Sequence, residues 1–331
     1  MGKKIVLLIS LILSLGLMLT ACGAGGGGGG GNNTPSEPAT TEYNAHFVAV
    51  GDTGTILHSE DGNTWTPVAS GTGNGKLVSI GYGNGRLVAV GEGGIILYSD
   101  NGENWSLSAD MQCNCTLNGV AYGNGLWIAV GDGGYMAKSS DGSNNWITVD
   151  NGVGTHLNGI AYANGLWIAV GIDGTIIKSA DDGNTWTDVS LTETENNLNA
   201  VAYGDQWVAV GDGIAIKSAD GTEWSSFDPE NEPSDDRLDD RLIDATYGNG
   251  LWVGVGVNVE TGATGIIVNS NEGYYSLDGV AFAGVTYGNG TWIAVGSSGT
   301  IVKSGDGTNW SPVTSGTDRN LAAVTFRPTS F

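Results

Sequence analysis

The sequence predicts an all-β protein, a seven-bladed β-propeller of four-stranded antiparallel blades. Three observations lead to this prediction. A unit of about forty residues recurs along the chain, each unit holds four short runs of β-forming residues, and the first unit lacks one run that the end of the chain supplies. Self-similarity at this period is typical of propellers, in which each blade buries its faces against its neighbours.

The repeat is clearest in residues 117–146 and 157–186, which read LNGVAYGNGLWIAVGDGGYMAKSSDGSNNW and LNGIAYANGLWIAVGIDGTIIKSADDGNTW. Weaker copies begin at Leu77, Leu198, Leu242 and Phe282. We predict strand a near LNGVAY, strand b at LWIAVG, strand c at GTIIKS and strand d from the Trp onward, because β-formers alternate there with Gly, Asn and Asp. Asn-Gly pairs between a and b, at 124–125, 164–165, 249–250 and 289–290, favour tight hairpins because both residues tolerate positive φ.

The chain ends predict how the ring closes. The first unit has strands b (47–50), c (55–58) and d (65–68) but no strand a before them. The missing strand appears at 321–326, where LAAVTF repeats the pattern of 117–122. Six whole units and one split unit make seven blades, and the C-terminal strand would complete the N-terminal blade and remove two exposed sheet edges.

The turn between strands c and d carries a family resemblance. The segments are SEDGNTW (59–65), SDNGENW (99–105), SSDGSNNW (139–146), SADDGNTW (179–186), SADGTEW (218–224) and SGDGTNW (304–310). They resemble Asp-box (BNR) repeats, whose pattern is Ser-x-Asp-x-Gly-x-Thr-Trp. The order of motifs within each unit, AVG, then G-x-I, then S-x-DG-x-x-W, is similar to that of propellers of the photosystem II assembly-factor type. Only 179–186 has the full spacing, and SNEGYYS (270–276) has lost the Trp.

This resemblance implies a structural role for the repeated turn residues. An Asp in such a turn accepts hydrogen bonds from the amides of its own loop, and aromatic residues that recur in every unit pack blade against blade. Catalysis or metal binding needs one site, whereas these residues repeat around a ring. The residues are Asp61, Trp65, Trp105, Asp141, Trp146, Asp181, Asp182, Trp186, Asp220, Trp224, Asp306 and Trp310.

The N-terminal segment carries an export signal. Two Lys residues precede an apolar run at 5–19, which closes on Leu-Thr-Ala-Cys at 19–22 and resembles the lipobox of bacterial lipoproteins. We expect a signal peptide over 1–21, an acylated Cys22 that begins a flexible Gly-rich tether over 22–43, and the propeller over 44–331. The alternatives are an ordinary signal peptide or a membrane helix, although the run is short for a span of about 20 residues. The expected location is a bacterial cell envelope, at the outer membrane or cell surface.

Charge and composition restrict the partners. The chain has 35 acidic and 12 basic residues and a net charge of −23. Nucleic acid and anionic lipid need a basic surface, so we expect neither as a partner of the folded part. We expect a monomer that requires no cofactor. Cys113 and Cys115 are predicted to form a local disulfide or to be two inert thiols, and the three His residues show no metal-ligand spacing.

The loop lengths predict the binding face. In four antiparallel strands, the a–b and c–d turns lie on one face of the ring, and the b–c and d–a connections lie on the other. The longer excursions, at 109–116, 190–197, 228–241 and 257–264, all fall on the second face, where variable loops typically carry function. Its candidate binding residues are Glu193, Glu195, Asp228, Glu230, Glu232, Asp235, Asp236, Asp239, Asp240, Glu260 and Asp244, the last in place of a small residue at Gly119, Gly159 and Gly284.

Two interpretations of this acidic face stay open. It is a solvated surface that keeps an exported protein soluble, or it holds a basic partner or Ca²⁺, since hard cations prefer clustered carboxylates. We expect the partner to be an extracytoplasmic protein or a glycan.

The resemblance to Asp-box propellers also suggests an enzymatic function, because that group includes sialidases and other glycosidases. A sialidase-like site would need an arginine cluster, and the five Arg residues do not predict an inward-facing trio. A two-carboxylate glycosidase depends on spatial separation that sequence does not give. We therefore expect a non-enzymatic binding or assembly scaffold, with a glycan hydrolase as the alternative.

Overall fold

The computed structural model describes residues 46–110, 113–191, 196–227, 240–271 and 273–328. These residues belong to one compact unit of the chain. They form seven four-stranded antiparallel sheets, so the predicted fold class is confirmed. None of the helices within these ranges has the length and apolar character needed to cross a membrane.

The strands occupy four positions, a to d, from the centre of the ring outward. For blades 1 to 7, strand a is β28 (Leu321–Arg327), β4 (Leu77–Gly83), β8 (Leu117–Gly123), β12 (Leu157–Ala163), β16 (Leu198–Tyr203), β20 (Arg241–Gly248) and β24 (Phe282–Gly288). Strand b is β1 (His46–Gly51), β5 (Arg86–Gly91), β9 (Leu126–Gly131), β13 (Leu166–Gly171), β17 (Trp207–Gly211), β21 (Leu251–Val257) and β25 (Thr291–Gly296). Strand c is β2 (Ile56–Ser59), β6 (Ile96–Ser99), β10 (Met136–Ser139), β14 (Ile176–Ser179), β18 (Ile214–Ser218), β22 (Thr264–Asn269) and β26 (Ile301–Ser304). Strand d is β3 (Thr66–Val68), β7 (Ser106–Leu107), β11 (Ile147–Thr148), β15 (Thr187–Asp188), β19 (Ser225–Ser226), β23 (Tyr274–Asp278) and β27 (Ser311–Val313).

The ring closes through blade 1, as the chain ends predicted. β28 pairs with β1 in antiparallel register, with Phe47 opposite Phe326 and Ala49 opposite Val324. The seven inner strands contact one another in the order β28, β4, β8, β12, β16, β20, β24 and back to β28. Pairing therefore removes the inner edge of β1, which would otherwise be exposed.

The core lies between blades rather than within them. Each of seven apolar clusters joins two neighbouring blades; one unites Val88 of blade 2 with Leu117 and Trp127 of blade 3. The strand-b tryptophans lie in these interfaces and are 6% exposed or less, at Trp127, Trp167, Trp207, Trp252 and Trp292. A blade thus buries its apolar faces only when both neighbours are present, which accounts for the repetition of the sequence.

Glycine at the end of strand a allows the next blade to approach closely. A Cβ atom at Gly288 would lie 1.9 Å from the ring of Phe326, and one at Gly123 would lie 2.0 Å from the ring of Tyr162. An aromatic ring of one blade therefore occupies the space that a side chain of the preceding blade would need.

We call the side that carries the a–b and c–d turns the turn face, and the opposite side the loop face. Both residues of the predicted Asn-Gly turns have positive φ, for example 47° at Asn124 and 81° at Gly125, as tight hairpins require. Four of the b–c turns on the loop face are short 3-10 segments: Asp52–Gly54, Glu92–Gly94, Asp132–Gly134 and Ser297–Gly299. Since β1 is a b strand, it begins on the turn face at His46, and β28 ends there at Arg327.

Candidate ligand-binding site at the channel mouth

The inner strands surround a central channel, and its loop-face half forms a cavity of about 430 Å³. All seven a strands line the cavity, and Lys76 and Arg241 stand at its rim. A concave site with a few polar groups is the usual form of a ligand site, and this cavity has that form.

The residue after the first apolar residue of strand a is a β-bulge in every blade, because the a–b register skips it. A bulge re-aims a side chain, and here these residues line the cavity. In blade order they are Ala322, Val78, Asn118, Asn158, Asn199, Ile243 and Ala283. Three consecutive blades, 3 to 5, therefore present amides, and the other four present apolar side chains.

Hydrogen bonds to the next blade fix the three amides. Each Asn donates its Nδ2 to the carbonyl oxygen of the first apolar residue of the next a strand: Asn118 to Leu157 at 3.1 Å, Asn158 to Leu198 at 2.9 Å and Asn199 to Leu242 at 2.8 Å. None of the three Oδ1 atoms accepts a hydrogen bond from another described residue. The amide oxygens are consequently the atoms left for a ligand.

One carboxylate lies at the next level of the channel wall. The residues that follow the bulge in strand a are Ala323, Ser79, Gly119, Gly159, Ala200, Asp244 and Gly284. Asp244 Oδ1 accepts the amide of Ala245 at 2.8 Å, and Oδ2 accepts the amide of Val285, in the next blade, at 2.9 Å. Withdrawal from bulk water raises the pKa of Asp244 to about 6, despite these two hydrogen bonds. The group is therefore mostly ionised at neutral pH.

Acidic and basic side chains of neighbouring blades meet around the mouth. In each pair an Asp that follows strand b meets a basic residue that precedes or begins strand a of the next blade. The pairs are Asp52 with Lys76 at 3.6 Å, Asp132 with His156 at 2.9 Å and Asp212 with Arg241 at 2.9 Å. The rim cations are thus paired with carboxylates, while Glu92 stands exposed on the same face.

Besides Asp244, the predicted acidic residues fall into three groups. Glu193, Glu195, Asp228, Glu230, Glu232, Asp235, Asp236 and Asp239 lie outside the described residues. Glu260 is exposed in the b–c loop of blade 6, on the loop face. Asp240 is only 2% exposed, and its Oδ1 accepts Asn258 Nδ2 at 2.9 Å and the Val259 amide at 3.1 Å. Asp240 therefore holds the b–c loop in place and does not belong to an open acidic surface.

The c–d turns are held by their own carboxylates. Asp61 Oδ1 accepts the amides of Asn63 at 2.8 Å and Thr64 at 2.9 Å, and these amides lower its pKa to about 2. Asp141, Asp181, Asp220 and Asp306 bond the amides of their turns in the same way. Asp182 instead accepts Asn124 Nδ2 of the preceding blade, and in blade 2 Asn101 takes the place of the Asp. Trp65, Trp146 and Trp310 are buried, and Trp105, Trp186 and Trp224 are half-buried.

The arginines are dispersed. Arg86 pairs with Asp100 on the turn face, Arg241 pairs with Asp212 on the loop face, and Arg327 is buried at the end of β28. Arg319 is exposed, and Arg237 lies outside the described residues. Asp244 is the single carboxylate among the described residues that line the cavity. Across the described ranges, no three His, Cys, Asp or Glu side chains come together as metal ligands.

Cys113 and Cys115 form a disulfide in the d–a connection between blades 2 and 3. Of the two states predicted for these cysteines, the structure has the local disulfide. The loop rests on the b–c turn of blade 2, where a Cβ atom at Gly94 would lie 2.4 Å from the Cys113 carbonyl oxygen.

No protein-family model and no curated protein matches the chain. Solved structures match in fold. YCF48 bound to D1 peptide has a TM-score of 0.55 at 17% identity, over 81% of this chain and 85% of that one. YCF48 from Cyanidioschyzon merolae has 0.54 at 15%, over 74% and 88%, and virginiamycin B lyase from Staphylococcus aureus has 0.58 at 10%, over 71% and 83%. At these identities the likeness shows the fold alone.

Sequence reasoning missed the three asparagines that line the cavity, Asn118, Asn158 and Asn199. Their signal is the second letter of LNG or LNA at 117–119, 157–159 and 198–200, where blades 1, 2, 6 and 7 have apolar residues. By sequence the Asn belongs to the ordinary strand pattern, because the amino-acid types do not show which residue of a strand forms a bulge.

Proposed function

We propose that this protein is a non-enzymatic scaffold, anchored to a bacterial envelope membrane through acylated Cys22, that binds a protein partner on its loop face. The observation that carries the proposal is the cavity that opens on that face, with amide oxygens on one side and, among the described residues of its wall, one carboxylate. Glycoside hydrolysis uses a pair of carboxylates, and Asp244 has no second carboxylate beside it in the described lining.

The direction of the first strand supports the choice of face. β1 begins on the turn face at His46. The chain therefore enters the propeller at the end of β1 that is opposite to the loop face. The net charge of −23 favours a basic partner and disfavours nucleic acid.

A protein partner is favoured over a glycan by one similarity. YCF48, a propeller of similar fold, has been solved with a D1 peptide bound. The Trp residues offer no sugar platform in the described blades, because the strand-b series is buried between blades and the turn series is buried or half-buried.

Two further parts of the proposal concern the turns and calcium. The carboxylate-to-amide bonds of the c–d turns support their assignment as Asp-box turns. We also propose calcium binding for the acidic stretch at 228–239, which lies outside the described residues.

We propose in addition that the protein acts as a monomer.

Site-specific photo-crosslinking in native cells tests the face. A photoreactive residue would replace Glu92 or Glu260 on the loop face, with matched replacements of Glu60 or Glu223 on the turn face; all four side chains are exposed. We expect one discrete protein adduct from the loop-face positions and none from the turn-face positions. The opposite distribution would show that the binding face has been assigned wrongly.

Membrane fractionation tests the anchor. Cys22→Ser should move the protein from the membrane fraction to the soluble fraction with an unchanged melting curve, because Cys22 is remote in sequence from the propeller. If the variant still needs detergent for extraction, an apolar N-terminal segment and not an acyl chain holds the protein.

A further inference from the structure

The channel mouth is divided into a polar side and an apolar side. Blades 3 to 5 contribute the amide oxygens of Asn118, Asn158 and Asn199, and blade 6 adds the Asp244 carboxylate one level deeper. Blades 7, 1 and 2 contribute small or apolar side chains, including Ala283, Ala322 and Val78 at the bulge level. The cavity therefore fits a ligand with an alkyl part and a hydrogen-bond donor at its end.

The charge inside the cavity favours a cation. Besides Asp244, the charged groups in the lining are Lys76 and Arg241, both at the rim. Lys76 Nζ lies 3.6 Å from Asp52, and Arg241 Nε lies 2.9 Å from Asp212. Because each rim cation has its own carboxylate, the Asp244 charge below them has no ion-pair partner among the described residues that line the cavity.

We propose that the channel mouth binds the ammonium group of a lysine side chain that a protein partner inserts, with its alkyl chain against the apolar wall and its ammonium group on Asp244 and the asparagine oxygens. This inference rests on the proposed function, since it names the group by which the partner is recognised.

The hydrogen bonds already made by Asp244 favour ammonium over guanidinium. Both of its oxygens accept a backbone amide, one from Ala245 and one from Val285. A guanidinium pairs best with a carboxylate that offers both oxygens in a fork, whereas a compact ammonium has three separate donors that reach single acceptors. The acceptors here are single and come from different blades.

Depth and ligand number favour lysine over a metal ion. Asp244 lies three residues after Arg241 at the start of β20, about 10 Å along the strand at ~3.3 Å per residue. A long unbranched side chain reaches this depth when its Cα lies below the rim, because the side chain is shorter than the depth of the carboxylate. Ca²⁺ would need six to eight oxygen ligands, and the described lining offers one carboxylate and, one level nearer the rim, three amide oxygens.

The test uses a minimal lysine, N-acetyl-lysine methylamide, titrated calorimetrically into the purified protein at pH 7.5. N-acetyl-norleucine methylamide is the matched ligand, since it keeps the alkyl chain and lacks the ammonium. We expect one site for the lysine compound and at least tenfold weaker binding of the norleucine compound. Equal binding of the two compounds would overturn the proposal.

Two further measurements locate the site. Asp244→Asn should weaken lysine binding at least tenfold, while Asp173→Asn, an exposed carboxylate on the same face outside the cavity, should leave it unchanged. In the unaltered protein, lowering the pH from 7.5 to 5.0 protonates Asp244, whose pKa is about 6, and should weaken binding about tenfold. Binding that is insensitive to both changes would place the lysine elsewhere.

The outcome separates this inference from the proposed function. If the lysine compound fails to bind but crosslinks still form from Glu92 and Glu260, the scaffold function stands and the lysine inference is wrong. If crosslinks form only from the turn face, the scaffold function on the loop face is wrong.

Discussion

Removal of the closing strand should destabilise the whole propeller. Leu321 is 1% exposed and Val324 is 7% exposed, and both lie in the cluster that joins blade 7 to blade 1. Burial of such a side chain contributes about 1.5–3 kcal/mol, so deletion of 321–331 should cost about 3–6 kcal/mol from these two residues. The inner edge of β1 would also be exposed.

This cost is comparable with the net stability of a typical domain, about 5–15 kcal/mol. At about 2–4 °C per kcal/mol, we expect the melting temperature to fall by roughly 10 °C or more, measured by circular dichroism and tryptophan fluorescence. Leu321→Ala should cost about 2–5 kcal/mol in urea unfolding. Leu117→Ala, at the same repeat position in the uninterrupted blade 3, is the matched control and should cost the same.

Two results would refute the reasoning. An unchanged melting temperature after deletion of 321–331 would mean that β28 contributes nothing to the ring. A large cost for Leu117→Ala with no cost for Leu321→Ala would mean that blade 1 is open in solution.

Two other predictions concern packing and pH. Gly288→Ala should lower stability by about 1–3 kcal/mol, because its Cβ would lie 1.9 Å from the Phe326 ring, whereas Gly305→Ala, with no atom within 4 Å, should be neutral; thermal melts compare the two, and equal melting temperatures would contradict the packing. The pKa of Asp244 is raised from 3.8 to about 6, so the native state binds more protons than the unfolded state between these values and stability should fall as pH rises through that window, by at most about 3 kcal/mol and less where channel water reaches the group. Asp244→Asn should remove this part of the pH dependence, and a slope unchanged by the substitution would assign it to other groups.

The fold could be predicted because each repeat unit shows the same four β-rich runs, separated by the same turn residues. The short β-rich runs, the Asn-Gly turns and the orphan strand at 321–326 all point to one ring, and each prediction concerns residues close together in sequence. Pairing of β28 with β1 is the exception, yet symmetry with the other units required it.

The site was harder to predict because its parts come from different blades. Asp244 was identified as a departure from a small residue, but its partner Val285 lies 41 residues away. Asp240 is a candidate binding residue by sequence, since nothing in the sequence shows that Asn258, 18 residues further on, donates to it. The amide oxygens of Asn118, Asn158 and Asn199 become available only because the Nδ2 atoms bind the next blade.

The split construction of blade 1 has a mechanical consequence. β1 begins at the turn face and lies between β28 and β2, with Val48 opposite both Thr325 and His58. A pull on the N-terminus against a partner held at the loop face would act along the axis of β1, so the hydrogen bonds on both of its sides would carry the load together in shear. The blade that follows the proposed anchor in the chain thus begins with a strand that is paired on both sides, and the force would have to break two ladders at once before the ring opened.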